Sequence, residues 1–229
     1  MSITASQHVS SPHVPDVKVS HVWGYSQEPV ADHRPLRRQP EQSRSRDRVD
    51  AILTAATQLI ADYGTEPPTM TDIAVRAGMG LTALYRYFPN KRAILRELAL
   101  SVLELNRQMF ITPLVASEGA IDDLIRESIA AYWHVHRDEP FRLRLRVAIQ
   151  GDAELSALDL ADSRRNAQVL CSHVTHLDDR DPAVVERQIF LIISLLDSLM
   201  LTAVQLDAAE ADTLVEDFAT MAISLLKGF

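Results

Sequence analysis

The chain has 229 residues, of which 47% are hydrophobic and 24% charged, with a net charge of −8 at neutral pH; that length can bury a sizeable core in one or two domains, and the balance is that of an ordinary globular protein. The single cysteine, Cys171, excludes an internal disulfide and suits a reducing compartment, while only seven glycines and few aromatics favour an all-α chain over a β-rich one. The longest apolar stretch, Ile189 to Leu196, is interrupted by Ser194 and stops at Asp197, far short of a membrane span; no basic-then-apolar leader opens the chain, so no membrane partner and a cytoplasmic location are expected.

Residues 1–45 contain Pro12, Pro15, Pro29, Pro35 and Pro40 among many Ser and His, with no sustained period, and read as a disordered N-terminal tail. The end of this stretch is basic. Arg44, Arg46 and Arg48 suit an arm that reaches phosphates or a minor groove, or else a solvated linker without a role. From Arg48 onward Val49, Ile52, Leu53, Ala56, Leu59, Ile60 and Tyr63 recur at spacings of three and four, which predicts a helix ending at Gly64.

After Pro67-Pro68 comes the most informative stretch, Thr69 to Leu95. Thr69 and Asp72 make a Thr-x-x-Asp start signal, in which the hydroxyl can accept from a first-turn N–H. Ile73, Ala74 and Ala77 form a small apolar face that a second helix can cross closely. Gly78 stands where the first helix must stop, because it tolerates a left-handed backbone. Leu84 and Phe88, four apart, turn the second helix toward the core and leave Tyr85, Arg86 and Lys91 facing outward. Two short helices, a Gly-containing turn and a third helix capped by Asn90 form the layout of a DNA-reading helix-turn-helix, placed at 46–92.

Downstream, a helix is predicted from Lys91 to about Phe110, stopped before Pro113, and another from Ala120 to Arg137, bounded by Pro140. The segment Phe141-Arg-Leu-Arg-Leu-Arg-Val147 alternates like a strand, but no second strand candidate exists to pair with it, so a short helix is expected. Ala153 to Leu177 reads as one long or kinked helix. Asp181-Pro182 opens an apolar helix to Leu206, and Asp212 to Lys227 is the last. Nine helices result.

The residues of 69–95 resemble the TetR family of bacterial transcriptional regulators. The resemblance is carried by Thr69, Ile73-Ala74, Ala77-Gly78-Met79-Gly80, Ala83-Leu84-Tyr85-Arg86-Tyr87-Phe88, Lys91 and Leu95, and it is sharp over about 48–100. Gly80 stands where the family usually has Ser, a weaker N-cap. Leu81, Thr82 and Ala83 are an uncommon choice at the base-facing start of the recognition helix, so no operator sequence follows. The resemblance implies that Tyr85, Tyr87 and Lys91 hold the DNA backbone. Thr82 and Ala83 can offer a methyl to thymine, and Arg86 can read guanine or contact phosphate. Thr69 and Thr71 can join free N–H groups in binding phosphate.

The family likeness further implies a helical effector-binding and dimerisation domain, here 93–229. Val184, Val185, Ile189, Ile192, Ile193, Leu196, Leu199, Met200 and Ala203 make helix 182–206 apolar nearly all round, so it needs cover on more than one side. One face can pack internally. Another, with the last helix, would form a four-helix interface across a two-fold axis. A small-molecule effector of unidentified chemistry is implied in the middle helices, and the polar or aromatic candidates there are Tyr132, Trp133, His134, His136, Phe141, Arg144, Cys171, His173 and Asp197. Asp197, a carboxylate in an apolar run, can bind ligand, pair with Arg144 or Arg146, or face solvent. Trp133 and Phe141 suit core as well as pocket. His173 and His176, one turn apart, are weak evidence for a metal, and neither metal nor cofactor is expected.

The charge distribution agrees with one DNA-facing end: the nets are 0 over 1–43, +2 over 44–107 and −10 over 108–229. The expectation is a homodimeric regulator of double-stranded DNA, a repressor released by an effector, and not an enzyme. A non-specific architectural DNA binder and a helical enzyme are the alternatives; no phosphate loop, nucleophile elbow or paired-carboxylate arrangement supports the latter.

Overall fold

Helices account for nearly all of residues 39–63, 68–116, 120–174 and 180–228, which the computed structural model describes, and no strand occurs among them. In chain order these are α1 (Gln39–Tyr63), α2 (Met70–Arg76), α3 (Leu81–Leu84), α4 (Lys91–Asn106), α5 (Thr112–Ala116), α6 (Ile121–Asp138), α7 (Pro140–Gln150), α8 (Ala153–Val174), α9 (Pro182–Ala203) and α10 (Ala208–Lys227), with a π-helical turn at Arg107–Ile111 joining α4 to α5. The tail over 1–38, Gly64 and His176 lie outside the described residues.

Local chemistry explains most of the boundaries. Thr69 and Asp72 close a reciprocal capping box at α2, with Asp72 N–H donating to Thr69 Oγ1 at 3.2 Å and Thr69 N–H donating to Asp72 Oδ2 at 2.9 Å. Gly78 adopts φ +64°. Met79 N–H donates to the Ala74 carbonyl and Gly78 N–H to that of Val75, the pattern that ends a helix on a left-handed residue. Asn90 caps α4 through the Ala93 N–H at 2.9 Å, and Asp181 caps α9 ahead of Pro182.

Four boundaries differ from the sequence expectation. First, α1 starts at Gln39, so residues 39–45 are helical rather than a disordered tail. Pro40 does not prevent this, because the first-turn N–H groups of a helix have no internal partner to lose. Second, the helix through Phe110 does not stop before Pro113. It widens into the π turn, in which Thr112 N–H donates to the Arg107 carbonyl, and then continues into α5. A proline cannot donate and crowds the preceding turn, and a π turn is one way to absorb it. Third, α9 ends at Ala203, three residues early. Fourth, α10 begins at Ala208, where Asp207 accepts from the Ala209 and Glu210 N–H groups at 3.0 Å each. Ten α-helices among the described residues therefore replace the nine expected.

The first core joins Ile52, Leu53, Ala56, Leu59 and Ile60 of α1 to Ile73, Ala74, Leu84, Phe88, Ile94, Leu95 and Leu98, all buried. A body core gathers Phe110, Ile129, Tyr132, Trp133, Leu143, Met200, Val215, Phe218 and three alanines of α10. The alanines allow α6 and α9 to approach α10 closely. The boundary expected at residue 92 falls inside α4, which packs on α1 at one side and on α7 and α8 at the other. α7 also touches α1 directly. Its strand-like alternation resolves on a helix, where Arg142, Leu145 and Ile149 share a buried side with the half-buried Arg146.

Candidate nucleic-acid interface and apolar cavity

Gly80 leaves the start of α3 without a side-chain cap, and its carbonyl accepts from the Ala83 and Leu84 N–H groups. The α-helix proper is a single turn, followed by tighter turns in which Arg86 N–H donates to the Ala83 carbonyl at 3.2 Å and Tyr87 N–H to the Leu84 carbonyl at 2.9 Å. Leu84 and Phe88 anchor this short element from beneath. Leu81, Thr82, Tyr85, Arg86 and Tyr87 are exposed on it, and Ala83 and Lys91 are half-buried. That is the division between supporting and outward residues read from the sequence.

The cations of this region fall into two sets. Arg76 pairs with Asp62 at 3.2 Å, Arg92 with Asp152 at 2.5 Å and Arg96 with Glu97 at 3.5 Å. Arg44, Arg46, Arg48, Arg86 and Lys91 form no ion pair among the described residues. Uncompensated cations on one end suit phosphate contact, since each phosphate neutralised releases counterions. The placement of Arg44 and Arg48 corrects the arm expectation: they stand on helix α1, where with Ser45, Asp47 and Ala51 they line one shallow groove with Tyr87. Only the first half of the sequence signal, a cluster of arginines, was legible, because their neighbour Tyr87 comes from a distant turn.

The role expected of Thr69 also shifts. Its hydroxyl is committed to the capping box, donating to Asp72 Oδ2 at 2.6 Å. Those Thr69 bonds hold the Asp72 carboxyl below its ordinary range, so a carboxylate occupies the α2 N-terminus where a phosphate was expected. Thr71 is exposed on the first turn and remains available.

In the body, a cavity of about 550 Å³ opens between the π turn and α5, α6, α8, α9 and α10. It is lined by Phe110, Ile111, Leu114, Val115, Ile121, Leu124, Ile125, Ser128, Ile129, Tyr132, Leu170, His173, Ile189, Ile192, Ile193, Leu196 and Leu226. Of the candidates singled out from the sequence, Tyr132 and His173 line it and the others do not. Trp133 is core, with Nε1 donating to Asp212 at 2.8 Å. His134 is exposed, Phe141 and Arg144 are half-buried elsewhere, and Cys171 is buried with Sγ donating to the Pro182 carbonyl at 3.4 Å. Burial pushes the Cys171 thiol up. His173, a candidate for ligand as well as for a metal, is exposed at the cavity.

Asp197 is buried and fully engaged. It accepts from the Tyr132 hydroxyl at 2.6 Å and pairs with Arg146, not Arg144, at 2.7 Å. Arg146 also pairs with Asp159 at 2.9 Å. Burial raises the Asp197 carboxyl against the opposing pull of Arg146 and Tyr132, and raises Asp159 in the same way. Beside this cluster, Arg142 donates to Glu139 at 2.6 Å and to Asn106 at 2.8 Å. The Tyr132 ring meets Phe110 edge-on at 4.9 Å and His136 at 4.0 Å. Tyr132 is thus a wall of the apolar cavity on one side and a member of a buried ionic cluster on the other.

Comparison with known proteins accords with this geometry. Residues 52–98 match the family model described as bacterial regulatory proteins, tetR family, and residues 119–228 match the one described as tetracyclin repressor-like, C-terminal domain. The HTH-type transcriptional regulator BetI of Agrobacterium fabrum is 29% identical over 181 residues, which cover 75% of this chain and 85% of that protein. The tetracycline repressor protein class C of Escherichia coli is 40% identical over 57 residues, 25% of this chain and 26% of that protein. Among solved structures, a TetR-family transcriptional regulator from Streptomyces coelicolor has a TM-score of 0.61 at 20% identity, over 80% of this chain and 97% of that one. Salmonella enterica GusR has a TM-score of 0.61 at 21% identity, over 79% and 96%. A reading head joined to a helical body, matched at both ends by family models, makes this chain a member of the TetR family, a DNA-binding transcriptional regulator.

Proposed function

We propose that the protein is a homodimeric repressor that binds a pseudo-palindromic operator and releases it when a small molecule fills the cavity beside Tyr132. The observation that carries this reading is the double position of Tyr132. Its ring lines the cavity, and its hydroxyl holds Asp197, which holds Arg146 on α7. α7 packs against α1 and α4, the helices that support the reading head. A ligand that shifts the Tyr132 ring therefore biases the seat of α7, and release is a population shift bounded by the ligand's preference for the released state. No cofactor is needed for such a response. The protein acts in the cytoplasm, where its DNA is, and as a regulator rather than as an enzyme, in keeping with the family models it matches.

In this reading Arg86, Thr82, Leu81 and Ala83 select sequence, while Lys91, Tyr85, Tyr87, Thr71, Arg44 and Arg48 hold the backbone. Arg86→Ala is expected to cost about 1–3 kcal/mol at one operator position and to relax the preference there. Lys91→Ala is expected to weaken binding to all sequences and to flatten the salt dependence by about one unit. Gel shifts with operator variants at several salt concentrations measure both. Equal affinity of the wild type for operator and random DNA would instead mark a non-specific binder. Tyr132→Phe keeps the cavity wall and removes the bond to Asp197; unchanged ligand binding with impaired DNA release is the result expected of the relay.

A further inference from the structure

We propose that the cavity takes an uncharged, predominantly apolar ligand whose one hydrogen-bonding end lies at His173, a statement that rests on the reading of this cavity as the effector site. No Asp, Glu, Lys or Arg is among its lining residues. A carboxylate, phosphate or ammonium placed there would lose its hydration with no countercharge to replace it. Four of the nearby charges are already matched. Asp197 and Arg146 pair behind Tyr132, and Lys227 pairs with Asp122, each the chain neighbour of a lining residue, Leu226 and Ile121.

Three lining side chains can hydrogen-bond, and their surroundings sort them. The Tyr132 hydroxyl already donates to Asp197. Ser128, half-buried on α6, has no hydrogen bond among the described residues. His173 Nδ1 lies 2.8 Å from the Val169 carbonyl, an acceptor, so Nδ1 carries the hydrogen and Nε2 has no hydrogen bond among the described residues. His173 is exposed, whereas Ile129 and Ile189 are buried. The cavity therefore runs from a polar mouth to an apolar interior. Its volume of about 550 Å³ lies within the range of small-molecule sites.

The test uses the full-length protein and three probes of equal chain length, 1-decanol, decanoate and decylammonium, with binding followed by titration calorimetry. 1-Decanol is expected to bind saturably, and both charged probes at least about tenfold more weakly. From 1-hexanol to 1-decanol, affinity should rise about fourfold per methylene. Leu124→Trp, which fills the cavity from α6, should abolish binding, and Leu114→Trp from α5 serves if the first variant does not fold. Leu124→Lys should move the preference from decanol to decanoate. Tighter binding of decanoate than of decanol to the wild type, or no saturable decanol binding, overturns the proposal. Release of a duplex selected from random DNA by the protein is measured separately. Decanol binding without release removes the effector reading and upholds the ligand class, whereas a preference for decanoate removes the ligand class whatever the DNA does.

Discussion

His136 is buried with Nδ1 donating to the Tyr132 carbonyl at 2.8 Å. Burial is the main reason its pKa falls to about 4 from 6.5, and the backbone bond opposes the shift only in part. A folded-state pKa below the unfolded one means that the unfolded chain binds the proton first. This contribution to stability is therefore complete above about pH 6.5 and is lost as pH falls toward 4, by on the order of 3 kcal/mol. The raised carboxyls of Asp159 and Asp197 act in the opposite sense above pH 3.8, so the wild type alone does not isolate the histidine. Urea unfolding of wild type and His136→Asn at pH 7 and pH 5 does. The wild type should lose more stability on acidification, and parallel losses would refute the assignment. Arg146→Met makes the complementary prediction. It strands the buried Asp197 and the half-buried Asp159 carboxylates, which should cost about 3–5 kcal/mol at pH 7 and less at pH 5, where protonation relieves them. Asp197 was visible in the sequence as an anomaly, a carboxylate in an apolar run. Its partners were not, because Tyr132 and Arg146 lie 65 and 51 positions away in the numbering and meet it only through packing.

At the scale of elements, what was legible is what is decided within a few residues. The Thr69 box, the Gly78 turn and the Asn90 and Asp181 caps each use groups no more than five positions apart. The π turn and the early start of α1 were not legible, the first because it depends on how the helix is seated around Pro113, the second because the exposed residues 44–48 carry no apolar period to announce a helix. Gly78 tests the local rule cleanly. A Cβ there would meet nothing within 4 Å, so Gly78→Ala adds no collision and only the strain of φ +64°. The expected loss is about 1–2 kcal/mol, read as a lower midpoint in urea at an unchanged slope. Thr69→Ala should cost about 1 kcal/mol by removing the box from the other end of α2. The two should add to within about 0.5 kcal/mol, since their hydrogen bonds are separate.

The whole molecule explains why the cavity could not be read from the sequence while the head could. The head advertises itself by types, aromatics and cations at fixed spacing on a short helix. The cavity is lined by Ile, Leu and Phe, the same residues that fill the core, and differs from it only in where they fail to meet. Of the polar and aromatic residues that stood out, Tyr132 and Asp197 were drawn into the buried cluster, Trp133 into the core and His134 to the surface. The same logic leaves a mark on the outside. α9 turns Val185, Ile189, Met200 and Ala203 inward, yet Leu191 and Leu195 remain 47% and 41% exposed, one turn apart and in line with Ser198 and Thr202. Met221 on α10 is likewise 47% exposed. These apolar side chains suit the face that a second copy covers, and two copies bring two weakly basic heads to one operator. Because Leu191 and Leu195 are already in water, replacing both by Glu should leave the monomer folded, with circular dichroism unchanged. Sedimentation should then show a dimer for the wild type and a monomer for the double variant. Operator affinity should fall by about 10²–10⁴, the gain that linking two heads provides, while a half-site probe should bind both proteins alike. A double variant that stays dimeric, or that becomes monomeric with full operator affinity, rules out this face as the means by which the heads are paired.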